Sequence, residues 1–203
     1  MDDLISDVEL LRQMRQGDKA AFTTLYRRHH AVLYRYAILR CGSPGIAADI
    51  VQDVFVGLLT EQFKYDALKG PLVYFLFGVA RNLAMKHDSA LQKTTNTTST
   101  NSLLDDEDED EVFDTICDDA APLERLLHKQ MAEDLRQGIA CLAPHYRDVL
   151  ILYEIHDMSY LEIADICQIN VGTVRSRLSR ARQALAERLS SHRDNIVSAA
   201  QRA

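Results

Sequence analysis

The sequence lacks the features that mark secreted, disulfide-bonded and membrane-spanning proteins. It contains no tryptophan, and its four cysteines form no C-x-x-C pair, so we expect reduced thiols rather than a disulfide framework. No apolar run approaches the roughly 20 residues that a membrane-spanning helix needs. The acidic segment Met1–Glu9 has no signal-peptide pattern. These absences predict a cytoplasmic protein that does not insert into a membrane.

Positive charge is missing from one long stretch of the chain. Residues 94–121 carry ten Asp and Glu but no Lys or Arg, in a chain of 203 residues whose formal charge is −7. Residues 171–203, by contrast, hold seven Arg against Glu187 and Asp194. The basic end indicates nucleic-acid binding. The low hydrophobicity and one-sign charge of residues 94–121 predict an acidic flexible linker between two domains.

Apolar residues recur at helical spacing on both sides of this linker, and no segment alternates in the manner of a β-strand. We therefore predict an all-α protein, with one helical domain over residues 1–93 and a second over residues 122–203. Breaks such as Gly17-Asp18 and Lys69-Gly70-Pro71 separate the helices. The predicted helices include residues 46–62, 72–90, 123–141, 144–156 and 171–189.

A helix-turn-helix is predicted near the C-terminal end. Ser159 and Glu162 form a capping box that begins a short helix, and Asn170 caps the helix that follows the turn. The apolar side of this second helix is made of Val171, Val174, Leu178, Ala181 and Leu185. Its polar side carries the candidate DNA contacts Thr173, Arg175, Ser176, Arg177, Ser179, Arg180 and Arg182. Arginines placed there can pair with phosphates or bind guanine in the major groove.

Two sets of motifs resemble the extracytoplasmic-function (ECF) sigma factors, which are initiation subunits of bacterial RNA polymerase. The segments similar to region 4 of that family are Leu142–Ile155, Met158–Ala164 and Val171–Arg182. The segments similar to region 2 are Gly17–Tyr26, Asp49–Phe55 and Val79–Ala84. The resemblance covers nearly the whole chain outside the linker. It implies an alternative sigma factor, with no enzymatic activity or cofactor of its own, that binds core RNA polymerase and promoter DNA.

The resemblance also implies roles for particular residues. Region 4 recognises the −35 promoter element, so the polar side of the last helix is expected to contact it. Region 2 binds core polymerase through the helix that bears Asp49, Gln52 and Asp53, and it melts the −10 element. The candidate −10 contacts are Phe63, Lys64, Tyr65, Asn82 and Lys86, of which Lys86 stands where relatives usually have an acid. In the family the linker threads polymerase channels, and a basic channel would suit its acids.

The polymerase-binding helix departs from the family pattern. Many relatives carry Asp-Ala-Glu-Asp where this chain has Ile46-Ala-Ala-Asp49, so two acids are missing. Helical spacing places Asp49, Asp53 and Thr60 on one face. A Ser/Thr kinase acting on Thr60 would add roughly −1.5 to −2 charges there. The alternatives are that Asp49 and Asp53 suffice, that other contacts compensate, or that an anti-sigma factor controls the protein.

Two other functions are compatible with parts of this sequence. A transcription regulator could combine the helix-turn-helix with a sensory N-terminal domain, and polymerase binding would discriminate the two. An enzymatic N-terminal domain would need a polar ligand pocket, which the sequence does not indicate. No metal site is expected, because the His29-His30 pair has no Cys or carboxylate at ligand spacing.

Overall fold

A computed structural model of the chain describes residues 5–95 and 122–200, with side chains within residues 5–90 and 129–190. The described residues form eight α-helices and one short 3-10 helix, without a β-strand among them. This confirms the all-α prediction for that part of the chain. It divides into two compact units, one built on the first four helices and the other mainly on the last four. The predicted flexible linker lies outside the described residues from residue 96 to residue 121.

The N-terminal unit contains α1 (Asp7–Arg15), α2 (Lys19–Cys41), α3 (Pro44–Leu59), the 3-10 helix (Ala67–Lys69) and α4 (Leu72–Thr95). Side-chain caps explain where α1 and α2 begin. The Asp18 carboxylate, for example, accepts a hydrogen bond from the backbone N–H of Ala20 at 2.8 Å. Helix α2 ends at Gly42, whose φ of 70° lies in the left-handed region that favours glycine.

The core of this unit lies between α2, α3 and α4. The apolar side chains with almost no exposure include Leu25, Leu33, Tyr36, Val54, Leu58, Leu76 and Phe77. The Tyr36 ring meets the Phe77 ring edge-on, with centroids 5.5 Å apart. At the periphery, buried Arg40 donates to the Asp88 carboxylate at 2.7 Å and ties α2 to α4. Burial of this apolar surface holds the outer faces of α3 and α4 in fixed positions.

The C-terminal unit contains α5 (Pro122–Ala140), α6 (Pro144–Glu154), α7 (Tyr160–Cys167) and α8 (Val171–Ala200). The predicted capping box is confirmed, because Glu162 accepts from the Ser159 N–H at 2.7 Å and Ser159 Oγ accepts from the Glu162 N–H at 3.4 Å. The predicted cap of α8 is confirmed too, since Asn170 Oδ1 accepts from the Thr173 N–H at 2.8 Å. The turn between α7 and α8 is therefore set by local hydrogen bonds.

Several helix ends differ from the sequence prediction. Helix α3 begins at Pro44 rather than residue 46, because proline suits the first turn of a helix. It ends at Leu59 rather than residue 62, since Glu61 has a positive φ of 55°. Helices α4 and α8 continue to Thr95 and Ala200, beyond the predicted ends at residues 90 and 189. The prediction stopped where the apolar pattern ended, whereas backbone hydrogen bonding continues through polar residues.

Candidate polymerase and nucleic-acid interfaces

The outer face of α3 presents the residues predicted to bind polymerase. Asp49, Gln52 and Asp53 are all exposed, and the last two lie three and four residues after Asp49 on that helix. Buried neighbours such as Ile50 and Val54 fix the opposite side of α3 in the core. Because successive positions at this spacing share a face, the two carboxylates and the amide project from one surface. The structure therefore brings these three predicted residues together.

An apolar groove that the sequence analysis missed runs between α2 and α3 beside these acids. It encloses about 430 Å³ and is lined by Phe22, Tyr26, His30, Tyr34, Ala48, Val51, Gln52, Phe55, Val56 and Leu59. Val56 and Leu59 are each 45% exposed. The Tyr26 ring lies 4.8 Å from the Phe55 ring and stacks on His30 at 4.9 Å. An apolar patch with a charged rim is typical of a protein-binding surface.

Thr60 caps the C-terminal end of α3 and is exposed. Its hydroxyl donates to the Val56 carbonyl oxygen at 2.9 Å, so it is occupied within its own helix. The next residue, Glu61, pairs with Arg15 of α1 at 3.1 Å between Oε1 and Nε. A phosphate on Thr60 would meet the negative end of the helix dipole and the Glu61 carboxylate, with Arg15 as a nearby cation.

A second groove lies on α4 and contains three of the five predicted −10 contacts. It has a volume of about 680 Å³ and is lined by Phe63, Val79, Asn82, Leu83, Met85, Lys86, Ser89 and Ala90. Asn82 and Lys86 are exposed and stand one helical turn apart. The groove thus combines an amide, a cation and an aromatic ring. These are the groups that hold unpaired bases and their phosphates.

The Phe63 ring packs against a glycine in the last turn of α3. A Cβ atom at Gly57 would overlap this ring, and the Phe63 N–H donates to the Gly57 carbonyl oxygen at 3.2 Å. Gly57 therefore positions Phe63 in the α4 groove. Gly57 is not among the site residues predicted from the sequence, although an isolated glycine inside a helical pattern can indicate close packing.

The other two predicted −10 residues lie in the loop between α3 and α4. Lys64 is exposed, whereas Tyr65 braces the loop, because its hydroxyl donates to the Gly70 carbonyl oxygen at 2.8 Å. The Tyr65 ring is 5.5 Å from the Phe75 ring. Burial raises the pKa of Tyr65, with a further contribution from nearby carboxylates, so its hydroxyl stays protonated as a donor. Leu68, at the tip of the loop, is 95% exposed.

Helix α8 separates into a buried face and a polar face. Val174, Leu178 and Ala181 are buried, which confirms the central part of the predicted apolar stripe. The exposed residues of the predicted −35 set are Arg175, Ser176, Ser179, Arg180 and Arg182, while Thr173 and Arg177 are half-buried. The Thr173 hydroxyl donates to the Asn170 side-chain oxygen at 2.9 Å, so it also supports the start of the helix.

Arg182 differs from its neighbours because it already has a carboxylate partner. Its Nε and Nη2 atoms lie 2.7 Å and 2.6 Å from the same Oε1 atom of Glu154, at the end of α6. The hydrogen bond to Glu154 raises the pKa of Arg182. The guanidinium group also lies over the Tyr153 ring, 5.1 Å from its centroid. Of the seven predicted −35 residues on α8, Arg182 is therefore the one that pairs with Glu154.

The comparisons with known proteins agree with this arrangement. Residues 25–93 match the family model for sigma-70 region 2, and residues 132–185 match the model for sigma-70 region 4, which together cover more than half of the chain. The ECF RNA polymerase sigma factor SigW of Bacillus subtilis is 25% identical over 179 residues, which span 88% of this chain and 94% of the relative. The ECF RNA polymerase sigma-E factor of Escherichia coli is 27% identical over 191 residues, with 91% and 95% covered.

A solved structure shares the fold. It is the sigma factor RpoE from Bartonella quintana in complex with the anti-sigma factor NepR, with a TM-score of 0.55, 24% identity and coverage of 78% of this chain and 90% of that one. Within the described ranges, no helix is both long and apolar enough to cross a membrane. Sigma factors bind core RNA polymerase and promoter DNA, and they are not enzymes themselves. This chain belongs to the sigma-70 family, as an ECF sigma factor that directs transcription initiation.

Proposed function

We propose that this sigma factor, working in the cytoplasm, divides promoter recognition between its two units. The N-terminal unit binds core polymerase through α3 and opens the −10 element at the α4 groove, while α8 of the C-terminal unit contacts the −35 element. One observation carries this proposal: the polymerase-binding residues, the −35 residues and the −10 residues Asn82 and Lys86 project from helices whose opposite faces are buried. Phe63 reaches the same groove as Asn82 and Lys86 from the loop that follows α3. The core is therefore not disturbed by using these side chains for binding.

Polymerase binding is assigned to Asp49, Gln52 and Asp53 together with the neighbouring apolar groove. Charged residues at the rim of an interface guide association, whereas buried apolar contacts supply most of the affinity. The exposed side chains of Val56 and Leu59 offer that apolar area next to the two carboxylates. This combination offers a physical reason why a helix with two fewer acids than its relatives retains an affinity for polymerase.

Strand opening is assigned to the groove that contains Phe63, Asn82 and Lys86. The Asn82 amide has both a donor and acceptor, so it can read the edge of a displaced base. The Phe63 ring offers a stacking surface, and Lys86 offers a cation for phosphate. Lys64, exposed in the adjoining loop, adds a second positive charge, and Tyr65 keeps that loop in place.

Recognition of the −35 element is assigned to the first three turns of α8. Arg175, Ser176, Ser179 and Arg180 are exposed and face bases and nearby phosphates, with Thr173 and Arg177 at the edges of this surface. An arginine that binds guanine in a bidentate manner contributes about 1–3 kcal/mol of discrimination against the wrong base. The α8 contacts are therefore expected to depend on both sequence and salt.

Reconstituted transcription tests this division of labour. Core polymerase supplemented only with this protein is expected to initiate at discrete promoters selected from a randomised library. The same core without the protein should give no specific start sites. Failure to bind core polymerase, or binding to promoter DNA with no initiation, would contradict the proposed function and favour a helix-turn-helix regulator.

We further propose that phosphorylation of Thr60 by a Ser/Thr kinase adjusts the affinity for polymerase. The support is that Thr60 is exposed, follows directly after α3, and shares the face of Asp49 and Asp53. A phosphate would restore negative charge to a helix that lacks two of the family's acids. It would also compete with Glu61 for Arg15, which pairs with Glu61 directly after Thr60.

Variants at Thr60 test the kinase proposal directly. Phosphorylated protein, or Thr60→Glu in part, should bind core polymerase about tenfold more tightly than Thr60→Ala, as measured by competition for labelled core; tenfold corresponds to about 1.4 kcal/mol. The matched control is Ser190→Glu on α8, since Ser190 is likewise exposed and its hydroxyl donates to a backbone carbonyl. Equal affinities for phosphorylated and unmodified protein would end this proposal while leaving the sigma-factor function intact.

Control by an anti-sigma factor is the second candidate. It is favoured by the fold shared with a sigma factor captured in complex with such a protein, and by the exposed apolar groove between α2 and α3. An inhibitory partner that covers this groove would compete with core polymerase. Pull-down with the tagged protein, followed by competition with core polymerase, distinguishes this mechanism from phosphorylation.

A further inference from the structure

We propose that Arg182 is a positioning residue, which fastens the recognition helix to α6 instead of contacting DNA. This inference rests on the proposed role of α8 in −35 recognition. Arg182 lies on the polar face of α8, and helical spacing alone would place it among the DNA contacts.

The contacts of Arg182 join separate helices of the helix-turn-helix unit. Two of its nitrogens converge on one oxygen of Glu154, at 2.7 Å and 2.6 Å, across 28 residues of sequence. Its guanidinium group also covers the Tyr153 ring, and that ring lies 5.3 Å from the ring of Tyr160 on α7. We call the set Arg182, Glu154, Tyr153 and Tyr160 the α6–α8 brace.

Other arginines of the same helix lack such a brace. Among the side chains that the structure describes, Arg175 and Arg180 make no ion pair, and both are exposed. A phosphate could therefore bind them without displacing an internal partner. Arg182 would first have to leave a carboxylate and an aromatic face, and the released Glu154 would then repel the DNA backbone.

The brace is well placed to set the angle of the recognition helix. The buried contacts of α8 lie on the side opposite to its DNA face, at Val174, Leu178 and Ala181. Arg182 adds a polar contact at the flank, one residue after the last of these. Restraining α8 at both places limits rocking of the helix, which matters most for base contacts because their geometry is narrow.

The salt dependence of promoter binding separates the two roles of Arg182. Holoenzyme binding to a promoter with an intact or a scrambled −35 element is measured over a range of salt. Arg180→Ala, which removes a phosphate or base contact, should lower the slope of log affinity against log salt by about 1. Arg182→Ala should leave that slope unchanged but reduce the preference for the intact element about threefold to tenfold.

Variants of Glu154 give the second half of the test. If the α6–α8 brace exists, Glu154→Ala weakens −35 discrimination as Arg182→Ala does. The double variant then loses no more discrimination than either single variant. If Arg182 contacts phosphate instead, Glu154→Ala strengthens binding because it removes a competing negative charge. The exchanged pair, Glu154→Arg with Arg182→Glu, keeps the net charge and should restore discrimination to within about threefold of the wild type.

The outcomes are distinguishable from failure of the proposed function. A loss of salt slope in Arg182→Ala, a gain of affinity in Glu154→Ala, or no rescue by the exchanged pair would each overturn the brace while leaving α8 as the −35 reader. If Arg180→Ala changes neither the salt slope nor the discrimination, both the brace and the −35 assignment fail. Thermal unfolding of each variant reports whether the helix-turn-helix unit is still folded.

Discussion

The two units of this sigma factor have similar interiors and opposite surfaces. Each is a small helical bundle with a core of apolar side chains, and side-chain caps begin helices in both units, such as α2 and α8. The N-terminal unit presents carboxylates beside an apolar groove on α3, whereas the C-terminal unit presents arginines and small hydroxyls on α8. The comparison shows that the buried side chains determine the fold, whereas a few exposed side chains determine which partner each unit can bind. Under the proposed function, the first partner of the N-terminal unit is a protein and that of the C-terminal unit is DNA.

The largest effect is expected from a substitution that disturbs only the N-terminal unit. Gly57→Ala places a methyl group into the Phe63 ring, and overpacking of this kind costs about 1–3 kcal/mol. The variant should therefore lose strand opening at the −10 element, measured by permanganate reactivity of the promoter. Its −35 binding should be unchanged.

The matched control for this prediction is Gly45→Ala in the same helix. A Cβ at Gly45 would meet no atom within 4 Å. Alanine also stabilises helices relative to glycine, so this variant should be as stable as the wild type or slightly more so. If both glycine variants behave alike, Phe63 is not seated on Gly57 in solution.

A smaller effect is expected at the contact between α1 and α2. The Asp7 carboxylate pairs with Arg28 at 2.5 Å and with His29 at 2.9 Å. Burial would raise the pKa of Asp7, but the hydrogen bonds and charges of His29 and Arg28 outweigh it and hold the pKa below the ordinary value of 3.8 for an aspartate. The ionised carboxylate therefore stabilises the folded state above that pH.

The sign of this effect can be checked with Asp7→Asn. The variant should lose about 1–2 kcal/mol of stability in α1 and α2 at neutral pH. The difference from the wild type should begin to shrink as the pH falls below 3.8, where the carboxyl group of the unfolded chain takes up its proton, and should vanish below the lowered pKa of the folded Asp7. Hydrogen exchange resolved by peptide measures each unit separately. A difference that persists unchanged at lower pH would mean that charge on Asp7 is not the cause.

Much of the fold could be predicted from the sequence because the deciding interactions are local. The Ser159–Glu162 box and the Asn170 cap each link residues three positions apart, so their pattern is visible in the sequence itself. The helix-turn-helix and the all-α class followed from such signals and from apolar spacing. The resemblance to ECF sigma factors, which family models for both regions match, decided against an enzymatic or sensory N-terminal domain.

The missed features depend on contacts between residues that are distant in sequence or in different helices. Arg182 has the same spacing as the other polar residues of α8, and only the structure shows its pairing with Glu154. The apolar groove beside Asp49 arises from α2 and α3 together, so neither helix reveals it alone. The ends of α4 and α8 were not predicted for another reason. Polar residues can extend a helix without adding to its apolar periodicity.

The central claim is that the two units read two separate promoter elements. It is tested most directly by in vitro transcription from four promoters, in which the −10 and −35 elements are intact or scrambled in all combinations. Each promoter is transcribed with the wild type, with Asn82→Ala and with Arg180→Ala. The account predicts that Arg180→Ala no longer distinguishes the −35 sequences but still requires the −10 element, and that Asn82→Ala shows the reverse. Loss of both preferences in either variant, or of neither, would contradict it.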